Sequence, residues 1–216
     1  MFERLRTQPR VNLGSVRGVN RQTMSTAGAT AHGSVPGPAG RYALPVGLGL
    51  GVAAVLYVIG TQAAPHVTPA DYEHSLTDVV PLKSWLATAL LALAAAQVGL
   101  ALWIYGKLPR VSAADRPSAR IHRGVGMLAV ALSIPIALHC VITYGVHTDL
   151  SARVAVHSIA GCFLYGAIVA KLLVIRLGRY ARWVLPLAGG TVVTLIAVLW
   201  YTAALWYFNG YSLPLG

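Results

Sequence analysis

The stretch SIPIALHCVITYGVHTDLSARVAVHSIAG, residues 133–161, decides how this sequence is interpreted. It consists of two apolar arms joined by a short polar turn, and it carries His139, His147 and His157. His139 and His157 stand inside the apolar arms, at positions where leucine or valine would be expected. Because burying an unpaired polar group is unfavourable, each of these imidazoles needs a partner or a function.

The composition indicates a membrane protein. The chain has 216 residues, of which 56% are hydrophobic and 11% are charged, whereas a soluble domain usually has about 25% charged residues. Apolar runs close to the roughly 20 residues needed to span a bilayer recur along the chain. The net charge of +11 does not indicate nucleic-acid binding, because the basic residues flank the apolar runs rather than form one patch.

We therefore predict an all-α integral membrane bundle of about five transmembrane helices. Residues 1–41 are rich in Arg, Gly, Ser, Thr and Pro, and we expect a disordered basic tail there. The first apolar run is too long for a cleaved signal peptide, so we expect it to be a membrane anchor. Within the bundle, residues 42–208, the expected spans are about 42–63, 80–106, 122–146, 152–178 and 183–208, followed by a short tail, 209–216.

The charges of the connections predict the orientation. Basic residues concentrate in the tail, between the second and third spans, and between the fourth and fifth spans, whereas the other connections carry Asp71, Glu73, Asp78 and Asp149. The positive-inside rule then places the N-terminus in the cytoplasm and the C-terminus outside the plasma membrane. The lipid bilayer is the first expected partner. The basic loop 108–124 is either a solvated loop whose charge sets the membrane orientation or a contact for anionic lipid.

The depth of two histidines predicts a haem site. His139 lies about seven residues from the outer end of the third span, and His157 about five from that of the fourth, which gives depths of roughly 10 and 8 Å. Antiparallel spans joined by a short loop are expected to be neighbours. Two imidazoles facing each other at similar depth suit the iron of a b-type haem. We predict one haem b, with His139 and His157 as iron ligands near the outer face.

Two residues near His157 suit the same cofactor. Gly161 and Arg153 stand four residues after and four residues before His157, on the same helical face. The glycine would leave room for a flat macrocycle. The arginine lies nearer the water, where its guanidinium could bind a haem propionate through two hydrogen bonds.

Other interpretations remain open for the histidines and cysteines. His122 precedes His139 by 17 residues and could hold a second haem with another ligand, contact a quinone, or interact with lipid head groups, which is the favoured reading. His147 is a spare candidate, expected to be solvated. A histidine in a span can also serve a helix contact or a proton pathway. A closed zinc site needs four ligands, and we expect Cys140 and Cys162 to be small buried apolar residues.

Three segments carry a family resemblance: RIHRGVGMLAVALSIPIALHCVITYG, ARVAVHSIAGCFLYGAIVAKLLVIR and LPLAGGTVVTLIAVLWYTAALWYF. Over roughly residues 80–208 they resemble an uncharacterised actinobacterial family of small multi-span proteins, a domain of unknown function. More distantly, the chain resembles cytochrome b561 and ferric-reductase-like transmembrane domains. That resemblance implies His139 and His157 as axial haem ligands. The fourth span has a single histidine, so one haem near the outer face is implied rather than a two-haem wire.

The expected function is that of a membrane b-type cytochrome. It would pass electrons between a quinol or membrane redox partner and an extracytoplasmic redox protein, as the haem subunit of an oxidoreductase complex. The alternative is a non-catalytic membrane subunit or scaffold with structural histidines. A transporter is less favoured because the spans show no pairing into repeats. The sequence shows no nucleophile–base motif, flavin fingerprint or phosphate loop.

Overall fold

The structure is a computed structural model that describes residues 38–63, 76–109, 116–178 and 180–213. Within these ranges every regular element is helical and no strand occurs, which confirms the predicted all-α fold. Two π-helical segments also occur: Cys140–Tyr144 follows the helix that ends at His139, and Tyr201–Leu205 lies between the helix that ends at Trp200 and the one that begins at Trp206. The helices are α1 Pro38–Ala63, α2 Leu76–Ile104, α3 Arg116–His139, α4 Ala152–Leu177, α5 Val184–Trp200 and α6 Trp206–Phe208.

In the described part of the chain, five helical units are long and apolar enough to cross a membrane, as predicted. They cover Tyr42–Ala63, Val79–Ile104, Pro117–Tyr144, Ala152–Leu177 and Val184–Phe208. Large apolar side chains cover the outside of the bundle: Met127, Trp85 and Ile142 are 70%, 65% and 64% exposed. A soluble protein rarely exposes so much contiguous apolar surface, whereas lipid solvates it. The chain is therefore a multi-pass membrane protein.

Most of the predicted N-terminal tail and part of the C-terminal tail lie outside the described residues, and one helix begins earlier than the predicted span. The predicted tail, residues 1–41, lies outside the described residues except for its last four, which begin α1. The acidic residues Asp71 and Glu73 of the first connection and the end of the C-terminal tail, 214–216, also lie outside them. Helix α3 begins at Arg116 rather than near residue 122. Pro117 is compatible with that start because proline is tolerated in the first turn of a helix.

Small residues bring α1 and α4 into close contact. A Cβ added to Gly49 would lie 2.7 Å from the carbonyl oxygen of Gly166, and one added to Gly166 would collide with the carbonyl of Gly49. Near the end of α1, the backbone N–H of Val146 donates to the carbonyl of Gly60 at 3.1 Å. Such close approach through small residues is the usual way in which transmembrane helices associate.

The remaining contacts arrange the helices as a ring. Helix α4 packs against α1 and α5, and α2 packs against α5 and α3. Helices α3 and α4 are not a closely packed pair, although the sequence predicted consecutive spans to be neighbours. Instead a hydrogen bond of 3.1 Å between the hydroxyls of Ser133 and Tyr165 bridges them. A cavity lies between them, lined by residues of both helices.

A buried apolar cluster fills the middle of the ring. Its members come from α2, α3, α4 and α5, and they are Leu90, Ala94, Ala129, Leu164 and Ile196. Three of them also line the cavity, so the cavity begins where the cluster ends. The turn between α3 and α4, residues 145–151, lies on the cavity's side of the cluster, which we call the hairpin end. The opposite side, where α3 begins and α4 ends, is the basic end.

Candidate functional site

The hairpin end contains a cavity of about 520 Å³. Its volume is within the roughly 300–1,000 Å³ of small-molecule sites, and its walls are mostly apolar, as such sites usually are. Among the described residues, Lys83 and Arg153 are the charged side chains that line it, and no aspartate or glutamate does. His147 and His157 also lie on its walls. The cavity therefore has a net positive charge and two imidazoles.

His157 is fixed in one orientation by Thr202 of the Tyr201–Leu205 segment. The histidine Nδ1 lies 2.9 Å from the threonine Oγ1, and that hydroxyl donates its own hydrogen to the carbonyl of Val198 at 2.8 Å. Because the hydroxyl has only one hydrogen, it accepts from Nδ1–H. The neutral ring is then protonated at Nδ1 and presents a lone pair at Nε2, on the opposite edge.

Arg153 is placed one turn before His157 by the start of α4. The Oγ of Ser151 accepts from the backbone N–H of Val154 at 3.3 Å and so caps the helix. Arg153 donates from Nη1 to the carbonyl of Thr202 at 2.9 Å. Its guanidinium carbon lies 3.7 Å from the ring centroid of Trp206, a cation–π distance. π-Helical segments disturb the regular hydrogen-bond ladder and often occur at functional sites. Here the backbone carbonyl of Thr202 contacts Arg153 and its hydroxyl contacts His157.

Lys83 supplies the second positive charge. Its Nζ lies 3.4 Å from Nδ1 of His139, 4.0 Å from Sγ of Cys140, and 4.0 Å from the ring centroid of Tyr144. No carboxylate is among the contacts of this lysine in the described parts of the chain. A lysine on an apolar wall with only neutral neighbours is costly, so its position favours an anionic ligand.

The structure brings three of the five predicted site residues together. Arg153, His157 and Gly161 all line the cavity. A Cβ added to Gly161 would meet only Leu199 Cδ2, at 3.9 Å, so the glycine faces open space. His139 does not line the cavity but packs behind Lys83, with its ring centroid 5.5 Å from that of Tyr144.

His122 lies apart from these residues at the basic end. It precedes His139 by 17 residues of α3, or roughly 25 Å at 1.5 Å per residue. Its carbonyl accepts from Nε2 of Gln97 at 2.6 Å. Its Nδ1 is buried and has no hydrogen-bond partner among the described residues. The site at the hairpin end therefore does not include His122.

His147 is not solvated as the sequence led us to expect. Its side chain is only 12% exposed, and its Nδ1 lies 3.8 Å from Oδ1 of Asp149, which is 80% exposed. Its Nε2 is buried and has no partner in the described structure. The backbone N–H of His147 donates to Oγ of Ser158 at 3.3 Å, which places this loop residue directly beside His157.

Sequence reasoning missed two residues of the candidate site and undervalued a third. Lys83 carried a signal, because it stands inside a span and apart from the basic connections. Thr202 carried none, because its contact with His157 depends on the π-helical segment. His147 was undervalued because a loop residue is normally solvated, whereas this loop folds back between α1 and α4.

The fold and cavity define a multi-pass membrane protein with a positively charged, largely apolar site. The chain matches the Family of unknown function (DUF6529) over residues 42–215. Because this is well over half of its 216 residues, the chain belongs to that family. The match includes α1, which lies before the region on which the sequence resemblance rested. Comparison with curated proteins and with solved structures finds no match.

Proposed function

We propose that this protein is a membrane b-type cytochrome that holds one haem b in the cavity at the hairpin end. It passes electrons between a quinol or membrane redox partner and a redox protein outside the cell. The observation that carries the proposal is the contact of His157 with Thr202. Nδ1–H of His157 is donated to Thr202, so Nε2 is available on the wall of a cavity whose charged lining, among the described residues, is Lys83 and Arg153.

The residues of the cavity fit the chemistry of haem b. This group combines a flat apolar macrocycle, two carboxylates, and an iron ion that binds imidazole nitrogen. The volume of about 520 Å³ and the apolar walls suit the macrocycle. Arg153 and Lys83 suit the carboxylates. His147 and His157 offer imidazole nitrogens on the cavity wall, and a haem iron needs no more than two protein ligands.

Each of these residues has a separate task. Thr202 holds the ring of His157 in one tautomer, as outer partners of metal-binding histidines do. Arg153 and Lys83 balance negative charge in a medium that screens it poorly. Gly161 leaves its part of the wall open. A bound haem supplies the redox chemistry by accepting and releasing one electron, while the protein sets its orientation and electrostatic surroundings.

The proposal includes an orientation in the membrane. The hairpin end carries Asp149, whereas Lys107, Arg120, Arg123 and Arg176 lie at the basic end. By the positive-inside rule the basic end faces the cytoplasm and the cavity faces outward. The aromatic pairs Trp85–Phe208 and Trp206–Tyr211, with ring centroids 5.2 and 4.8 Å apart, lie at the hairpin end, where interfacial aromatics are expected. An outer redox partner would dock on this face.

A spectrum of the purified protein tests the proposal. Protein made in haem-replete cells should be red, give a sharp reduced-minus-oxidised α-band, and contain one haem b per chain by the pyridine haemochrome assay. His157→Ala should remove most of the haem. His122→Ala, a histidine change at the basic end, is the matched control and should leave the haem content unchanged. A colourless wild-type protein from such cells would refute the proposal.

A structural role for the same histidine is the second candidate. His157, Arg153 and Thr202 together tie α4 to the Tyr201–Leu205 segment, which a non-catalytic membrane subunit or scaffold would also need. In that case His157→Ala lowers the thermal stability of a protein that has no chromophore to lose. Measuring the melting temperature and the spectrum on the same samples separates the two functions.

A further inference from the structure

Three histidines stand near the hairpin end, and their neighbours determine which ring nitrogen carries the hydrogen. Lys83 can only donate hydrogen bonds, so the Nδ1 of His139 accepts from Nζ at 3.4 Å. The neutral ring of His139 then carries its hydrogen on Nε2. A protonated nitrogen cannot bind a metal, and the nitrogen with the lone pair already faces a lysine.

His147 has the opposite arrangement. Its Nδ1 faces the carboxylate of Asp149 at 3.8 Å, which is longer than a hydrogen bond but favours a hydrogen on that nitrogen electrostatically. The lone pair is then on Nε2, as in His157. A carboxylate next to the outer nitrogen of a histidine is a common companion of metal binding, because it sets the tautomer and raises the basicity of the ligand.

The location of His147 and His139 also favours His147 as the second ligand. His147 lines the cavity together with His157, whereas His139 does not. The Nε2 of His147 is buried without a partner among the described residues, and such an atom calls for an explanation. A ligand that accepts its lone pair provides one, and because this nitrogen has almost no exposed surface, the ring must turn toward the cavity to bind it.

The backbone holds His147 in place beside His157. Its N–H donates to Oγ of Ser158, the residue that follows His157. The preceding residue, Val146, is 6% exposed and donates to Gly60 of α1. Hydrogen bonds to α1 and to α4 therefore hold this loop in place, so His147 can serve as a ligand without a further ordering of the loop.

We propose that His147, rather than His139, is the partner of His157 and supplies the second Nε2 ligand to the haem iron. This inference rests on the proposed function. It assigns one ligand to α4 and the other to the turn between α3 and α4. His139 becomes a positioning residue that holds Lys83.

Spin state tests the assignment without any activity measurement. Wild-type protein should be low-spin by optical and electron paramagnetic resonance spectra. His147→Ala should convert most of the haem to the high-spin form, and added imidazole should restore the low-spin signal. His139→Ala is the matched control and should stay low-spin. The reverse result, high-spin His139→Ala with low-spin His147→Ala, would overturn the assignment while leaving the proposed function intact.

A second variant guards against a fold defect in His147→Ala. His147→Met keeps an axial ligand, and His/Met ligation raises the midpoint potential relative to His/His. We therefore expect a low-spin haem with a higher potential than wild type, whereas His122→Met, a change at the basic end, should keep the wild-type potential. An unchanged potential in His147→Met would refute the assignment. Wild-type protein without haem would instead refute the proposed function, and this inference with it.

Discussion

Replacing Thr202 by valine tests how the site fixes His157. The change keeps the shape of the side chain and removes the oxygen that accepts from Nδ1 at 2.9 Å. Thr202 is only 4% exposed, so water does not replace the lost acceptor. An unsatisfied donor in such a place costs about 1–3 kcal/mol.

The effect on haem binding follows from the same contact. Without an acceptor at Nδ1 the ring loses its fixed tautomer, and losing an outer partner of this kind typically lowers metal affinity about 10–100-fold. That is about 1.4–2.8 kcal/mol at 1.4 kcal/mol per tenfold, which agrees with the cost of the unsatisfied donor. We expect Thr202→Val to raise the dissociation constant for haem by this factor, measured by titrating haem into apoprotein in detergent.

Two controls make the experiment specific. Thr202→Ser retains the hydroxyl and should bind haem like wild type. Thr191→Val removes a hydroxyl from the same membrane-spanning unit, Val184–Phe208. Its Oγ1 donates to the carbonyl four residues earlier at 3.0 Å, and this exposed side chain has no hydrogen bond to a histidine among the described residues. Equal dissociation constants for Thr202→Val and Thr191→Val would show that Thr202 does not orient a ligand, and the reasoning about His157 would be wrong.

Three further predictions address packing, the cavity wall and orientation. Gly166→Leu should destabilise the protein by at least about 1–3 kcal/mol, because its side chain would collide with the backbone of α1. The control Gly51→Leu has open space around its Cβ and should leave the melting temperature within a degree or two. Equal effects of the two changes would contradict the packing of α1 against α4. Gly161→Phe should block haem binding without lowering the melting temperature, because it fills empty space, and retained haem would show that the cofactor lies elsewhere. Asp149→Cys, in a chain with both native cysteines replaced by alanine, should react with a membrane-impermeant maleimide on intact cells, and labelling only after lysis would reverse the orientation.

The number and type of helices could be predicted because each helix is determined by the length and hydropathy of one continuous stretch of sequence. Each span is a run of apolar residues long enough to cross hydrocarbon, and that signal does not depend on which helix packs against which. The ring order could not be predicted. It depends on close contacts such as that of Gly49 with Gly166. These are two of 22 glycines, they lie more than a hundred residues apart in the chain, and nothing in the sequence pairs them.

The candidate site was only partly predictable for a related reason. Arg153, His157 and Gly161 share one face of a regular helix, so their spacing alone places them together. Thr202 and His147 reach the site through irregular backbone, a π-helical segment and a folded-back turn. Hydrophobic periodicity carries no information about such segments. His139 was predicted to face His157, but Lys83 lies against its ring, and a single sequence cannot show that contact.

The contact between α1 and α4 also has a consequence for biosynthesis. Helix α1 ends at Ala63 and its partner α4 begins at Ala152, so the ribosome must make the residues between them, and then α4 itself, before the pair can form. At about 5–20 residues per second this takes on the order of ten seconds. During that time α1 must stay in the bilayer without its partner, with the glycine surface around Gly49 facing lipid or a chaperone. A change that weakens α1 as an independent membrane anchor would therefore reduce the yield of assembled protein even if the finished bundle were equally stable.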